Sequence, residues 1–190
     1  MKIGIMQPYF FPYIGYYQLI NSVDKFVIYD NIKYTKKGWI NRNVITSNFT
    51  DKMITLPLMK DSDNLNIVDR RLSNNWNNDK LKLINVISSF YNKSPFFDEV
   101  FNLIKEIINY DNNNLFYFLL NSLKAINRYL DIKTELIISS KIDIDHSLKG
   151  KDKVLSICKK MKASKYYNPI GGKNLYEKED FNIIINCTYY

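Results

Sequence analysis

The residues best equipped for chemistry in this 190-residue sequence fall in a few short runs between apolar segments. Gln7 leads Pro8-Tyr9-Phe10-Phe11-Pro12-Tyr13-Ile14-Gly15-Tyr16, and Asp30 closes an apolar run. Trp39, Arg42 and Asn43 share a stretch with Tyr34, and Asn168 precedes Gly171, Gly172 and Tyr176. Amides and a guanidinium supply planar donors that orient carboxylate, phosphate or sugar hydroxyl groups. Aromatic rings between prolines offer stacking surfaces and equally fit a cap on a sheet edge, and Trp39 also fits a core position. Gly171-Gly172 lets backbone N–H groups approach a ligand closely and equally suits a plain turn. Asp30 suits a general base or a ligand anchor, and equally a helix cap or turn.

Other chemistries are excluded by what is scarce. A single histidine, His146, cannot make a histidine-based zinc site, and Cys158 and Cys187 lack metal spacing or a disulfide framework. No metal is expected. His146 stands beside Asp143 and Asp145, which suits acid–base work, but it belongs to no motif and reads as a surface-loop histidine. Cys158 lies on an apolar helical face and reads as an inert core thiol. The net charge of +8 comes mostly from scattered lysines in an asparagine-rich composition. A basic face for an anionic ligand is the functional alternative, and no basic helix, zinc finger or RNA-recognition signature points to nucleic acid. No run reaches the roughly 18 apolar residues of a membrane span, and the apolar start is soon broken by Pro8, so a cytoplasmic protein is expected.

The elements that must position these residues follow from periodicity. Lys2 to Met6 reads as a buried strand, Tyr13 to Val23 as a helix and Phe26 to Tyr29 as a second strand, a β-loop-α-β order that implies a parallel pair. Residues 31–58 suggest loops and a hairpin, and 61–66 a polar bridge. Helices are predicted over 77–91, 95–110, 114–130 and 151–162, and strands over 135–140, 165–167 and 181–185. The expectation is one α/β domain over 1–190 with a mostly parallel, Rossmann-like sheet and room for a three-helix subdomain at about 75–130. Ligands of such sheets bind beyond the carboxyl ends of the strands, so the four loops after the strands are expected to converge on one cleft.

The motif Met6-Gln7-Pro8-Tyr9-Phe10-Phe11-Pro12-Tyr13-Ile14-Gly15-Tyr16 resembles the opening of the WbqC-like family of bacterial surface-polysaccharide gene clusters. The likeness continues through Asp30, Tyr34, Lys37-Gly38-Trp39 and Asn41-Arg42-Asn43. It resumes at Trp76, at Tyr91-Asn92-Lys93-Ser94-Pro95-Phe96-Phe97 and at Tyr167-Asn168-Pro169-Ile170-Gly171-Gly172. Family members generally run on beyond the last strand, whereas this sequence stops at Tyr190, and Lys80 stands where relatives often carry histidine. A looser likeness concerns layout. Tyr13-Ile14-Gly15-Tyr16 sits where His-x-Gly-His nucleotidyltransferases and pantothenate synthetase hold nucleotide phosphates, but tyrosine brings no positive charge there.

The family resemblance implies tailoring of a nucleotide-linked amino sugar for O-antigen, lipopolysaccharide or capsule, by transfer of an acyl or aminoacyl group such as glycyl to the sugar amine. It implies Asp30 as base and Tyr16 as a second catalytic group. Arg42 and Asn43 would hold the anionic substrate, Gln7 and Asn168 would orient polar groups, and Tyr9 and Trp39 would stack. Tyr13, Gly15, Gly171, Gly172 and Tyr176 would complete the binding surface. The partners implied are the amino sugar and an acyl donor whose identity stays open, and no cofactor is named. Two alternatives remain: a non-catalytic nucleotide-sugar-binding module, and a relative of ATP-dependent ligases or nucleotidyltransferases.

Overall fold

Strand β1, Lys2–Met6, alternates isoleucines about Gly4 and ends where Pro8 can give no N–H to a ladder. The computed structural model, which describes residues 1–47 and 49–169, places β1 inside a four-stranded sheet. Helix α1, Ile14–Asn21, returns the chain to strand β2, Lys25–Ile28, which pairs parallel to β1 with Gly4 opposite Phe26. Strand β5, Glu135–Ile138, pairs parallel to β2, and strand β6, Lys165–Tyr167, pairs parallel to β1. The order is β5-β2-β1-β6, so the α/β class with a mainly parallel sheet is as expected.

Both faces of this sheet are covered. Ile3, Ile5 and Val27 pack with Tyr166 and with Val154, Ile157 and Cys158 of helix α5, Gly150–Lys160. On the opposite face, the Phe26 ring meets Tyr16 of α1 edge-on at 5.4 Å. Gly4 shares that face. A Cβ at Gly4 would stand 2.9 Å from a Phe26 ring carbon, so the ring lies where any other residue would put its side chain.

The chain divides into two compact units. The first holds the sheet, with Met1–Gln7, Tyr13–Asn31 and the described residues from Asp131 on. The second takes Pro8–Pro12 and Ile32–Leu130. It contains an antiparallel hairpin of β3, Arg42–Ser47, and β4, Thr50–Thr55, followed by helices α2, Trp76–Tyr91, α3, Phe97–Ile108, and α4, Leu115–Tyr129. Helix α4 is its spine, burying Leu115, Phe116, Phe118, Leu119 and Leu123 completely, at about 1.5–3 kcal/mol for each such side chain. The Asn114 side chain caps α4 by accepting the Tyr117 N–H at 3.1 Å and donates to the Val68 carbonyl at 2.6 Å.

The expected hairpin and three helices are present with ends shifted by one or two residues. Phe96 explains one shift: at φ 59° it lies in the left-handed region, so α3 begins at Phe97 rather than Pro95. The strand expected at 181–185 lies outside the described residues. No helix among the described residues is long and apolar enough to cross a membrane.

The Gly4–Phe26 contact makes the sheet sensitive to one methyl group. Gly4→Ala is expected to lower stability by about 1–3 kcal/mol, read from the urea midpoint, because the Phe26 ring must shift against Tyr16. An unchanged midpoint would show that the ring moves freely.

Candidate functional site

In the first unit the chain passes from β1 to β2 and β5 on one side, and β6 then joins the other side of β1. The point where strand direction of travel reverses therefore lies between the carboxyl ends of β1 and β6, the place where open parallel sheets hold ligands. Gln7 leaves β1 and Asn168 leaves β6, both half-buried. Tyr16 donates its hydroxyl to the Gln7 carbonyl at 2.9 Å, fixing the exit of β1 to α1. Tyr13 is exposed, and its ring lies over Gly15, where a Cβ would stand 2.4 Å from a ring carbon. The open face of Gly15 is thus taken by the protein's own aromatic ring.

At the exits of β2 and β5 lies a buried polar cluster. Asp30 is 0% exposed, and its Oδ1 accepts the Ser140 N–H at 2.8 Å and the Ser139 hydroxyl at 2.8 Å. Its Oδ2 is buried with no partner, and an unmatched buried acceptor costs about 1–3 kcal/mol. Ser139 also lies 2.7 Å from Asn31 Oδ1, but a hydroxyl has one proton and serves one acceptor at a time. Asn31 reaches on to His146 Nδ1 at 2.9 Å. Lys153 of α5, only 3% exposed, donates to the Asn31 carbonyl at 3.1 Å and stands 5.7 Å from the Tyr29 ring centroid. Burial lowers the Lys153 ammonium pKa, and the Asp30 charge raises it in part. In contrast, Cys158 is pushed up to about 12 by burial, which makes it a core thiol rather than a nucleophile.

The second unit gathers a different set. Asn43 donates its amide to the Phe10 carbonyl at 3.2 Å and to that of Phe11, and the Phe10 N–H reaches the Trp39 carbonyl at 3.2 Å. Arg42 gives Nε to the Gly38 carbonyl at 3.1 Å and Nη2 to that of Lys37, and lies 6.0 Å from the Trp39 ring, which is 48% exposed. Phe11 and Lys37 both have φ in the left-handed region, at 45° and 63°. Such strain costs on the order of 1–3 kcal/mol and is held by the surrounding bonds, a feature that concentrates at ligand-handling loops. Tyr9 is half-buried in the same loop.

The expected site residues are therefore distributed: Gln7, Tyr13, Gly15, Tyr16, Asp30 and Asn168 in the first unit, Tyr9, Trp39, Arg42 and Asn43 in the second. Gly171, Gly172 and Tyr176 lie outside the described residues. Ser139, Asn31 and Lys153 were not singled out from sequence. The available signal was positional, since Lys153 shares a helical face with Val154, Ile157 and Cys158, where an apolar residue is the norm. Among the described residues, no three His, Cys, Asp or Glu side chains converge so as to hold a metal ion.

Comparison with known proteins gives two findings. The model of the WbqC-like protein family matches residues 7–186, nearly the whole chain. An uncharacterized protein of Mycobacterium tuberculosis is 26% identical over 194 aligned positions, covering 100% of this chain and 81% of that protein. No solved structure matches.

The buried lysine has a measurable consequence. Between its lowered folded value and the ordinary value of about 10.4, the unfolded chain binds more protons, so folding stability rises with pH across that window. Urea unfolding from neutral pH to about pH 10 is expected to show this gain in the wild type and not in Lys153→Met. Equal pH slopes for the two proteins would place the Lys153 ammonium in contact with water.

Proposed function

Because the chain belongs to the WbqC-like protein family, we propose that it tailors a nucleotide-linked amino sugar for surface polysaccharide by transferring an acyl or aminoacyl group to the sugar amine. The observation that carries this reading is the buried Asp30 carboxylate at the carboxyl edge of the parallel sheet, with Oδ1 engaged and Oδ2 without a hydrogen-bond partner. The amine lone pair attacks the acyl carbonyl carbon and a C–N bond forms. The amine proton passes to Asp30 Oδ2, and the bond from the acyl carbon to its activating group breaks, its electron pair leaving on that group. Lys153, with one N–H on the Asn31 carbonyl and two further N–H groups, supplies donors for the carbonyl oxygen as it gains charge. Tyr16 keeps the exit of β1 in place through Gln7, and Asn168 adds an amide on the other side of the strand reversal. No covalent enzyme intermediate is required.

The exposed Trp39 ring and the Arg42 guanidinium beside it offer the second unit's aromatic and cationic surface for a planar base or sugar. A second reading, a nucleotide-sugar-binding module without turnover, is favoured by the complete enclosure of Asp30, which offers a substrate amine no exposed surface.

Incubation with dTDP-amino sugars and activated acyl donors is expected to give the mass gain of an amide. Asp30→Asn keeps an oxygen for Ser139 and Ser140 and is expected to lower the rate by about 10²–10⁴ with little change in melting temperature. A thermal shift with amino sugar but no product from any donor would decide for the binding module.

A further inference from the structure

Arg70 belongs to none of the motifs above, yet it is the most constrained cation of the second unit. Its backbone is pinned to the start of α4, where Leu115 N–H reaches the Arg70 carbonyl at 2.9 Å. The residue is 4% exposed, and its guanidinium lies 4.7 Å from the Tyr34 ring centroid. Of its five N–H donors, one on Nη2 meets the Ser62 carbonyl at 2.8 Å, while Nε is buried with no partner. Among the described residues it forms no ion pair within bonding distance. An arginine cannot shed its charge when desolvated, so a buried guanidinium without a carboxylate is costly until an anion arrives. The Tyr34 ring face offsets part of that cost.

Two lysines stand with it. Lys36 pairs with Asp63 at 2.6 Å, and Lys33 donates to Asn64 Oδ1 at 2.9 Å. Three consecutive loop residues, Ser62, Asp63 and Asn64, thus each present one acceptor to one of three cations. Lys36, Arg70 and Lys33 together hold the Asp63 carboxyl below its usual range, the Lys36 hydrogen bond most of all. Only one of the three acceptors carries charge, so the cluster keeps a surplus of two positive charges. A phosphate group, carrying about −1.5 to −2 near neutral pH with three oxygens, matches both that surplus and the number of donors.

We infer that Arg70, Lys36 and Lys33 form a binding site for a phosphate-class oxyanion, and that the acceptors of residues 62–64 occupy it until the ligand displaces them. Asp63 is the competitor, an exposed carboxylate standing where ligand charge would be. The site does not depend on the acyl-transfer reading, because binding is measured without turnover.

Calorimetric titration with inorganic pyrophosphate and with UDP tests it, using exposed positions whose replacement leaves the α4 packing alone. Asp63→Asn is expected to tighten pyrophosphate binding by about fivefold, and Lys36→Gln to weaken it by a similar factor. Tighter UDP binding would identify a nucleoside diphosphate as the ligand, and equal affinity a phosphate group alone. A loop acting only as structural packing predicts no gain from Asp63→Asn. Affinity unchanged in both variants, or no heat with either ligand up to about 10 mM, would overturn the inference.

Discussion

The hydrogen bond from Ser139 to Asp30 joins residues far apart in sequence and fixes the exits of β2 and β5 to each other. Parallel neighbours have no tight turn between them, so their carboxyl ends need another tie, and here a buried carboxylate provides it. Burying that carboxylate is affordable only because Ser139 and Ser140 feed Oδ1 and the Lys153 charge lies nearby. Lys153 is in turn held by the Asn31 carbonyl, so the residues that follow β2 and those that open α5 depend on one another. The sheet order, the placement of α5 and the chemistry at the edge are aspects of one constraint.

Polar chemistry is divided between the units by kind. The first gathers Asp30, Lys153 and, through Asn31, His146 at the sheet edge. The second holds groups that keep their charge, Arg42 and Arg70, each packed near an aromatic ring. Recognition of an anion needs charge that does not titrate away.

Much of this was legible in sequence where a local rule governs. Lys2 to Met6 and Phe26 to Tyr29 read as strands because apolar runs bounded by proline and aspartate leave little else, and the three central helices follow from helical spacing of their apolar residues. The place of Asp30 directly after β2, at the carboxyl edge of the sheet, was legible too. Lys153 and Arg70 were not, because their burial is decided by distant partners: the Asn31 carbonyl for one, the Tyr34 ring for the other. The contact of the Tyr13 ring with Gly15 is likewise one that no hydropathy pattern carries.

The two buried cations make different demands on the protein. Lysine can in principle give up its proton, and burial lowers the Lys153 pKa while the Asp30 charge opposes that shift. Arg70 has no such escape, and its Nε remains without a partner even with the Ser62 carbonyl and the Tyr34 ring in place. A position where charge is permanent, buried and only partly answered by neutral groups is one that folding alone does not complete. The Asp63 carboxylate, which the Arg70 charge also reaches, is bonded to Lys36, and residues 61–64 of the loop that carries it are exposed. The balance at Arg70 is thus struck with weak, exchangeable acceptors, the condition under which an incoming dianion has the most to gain.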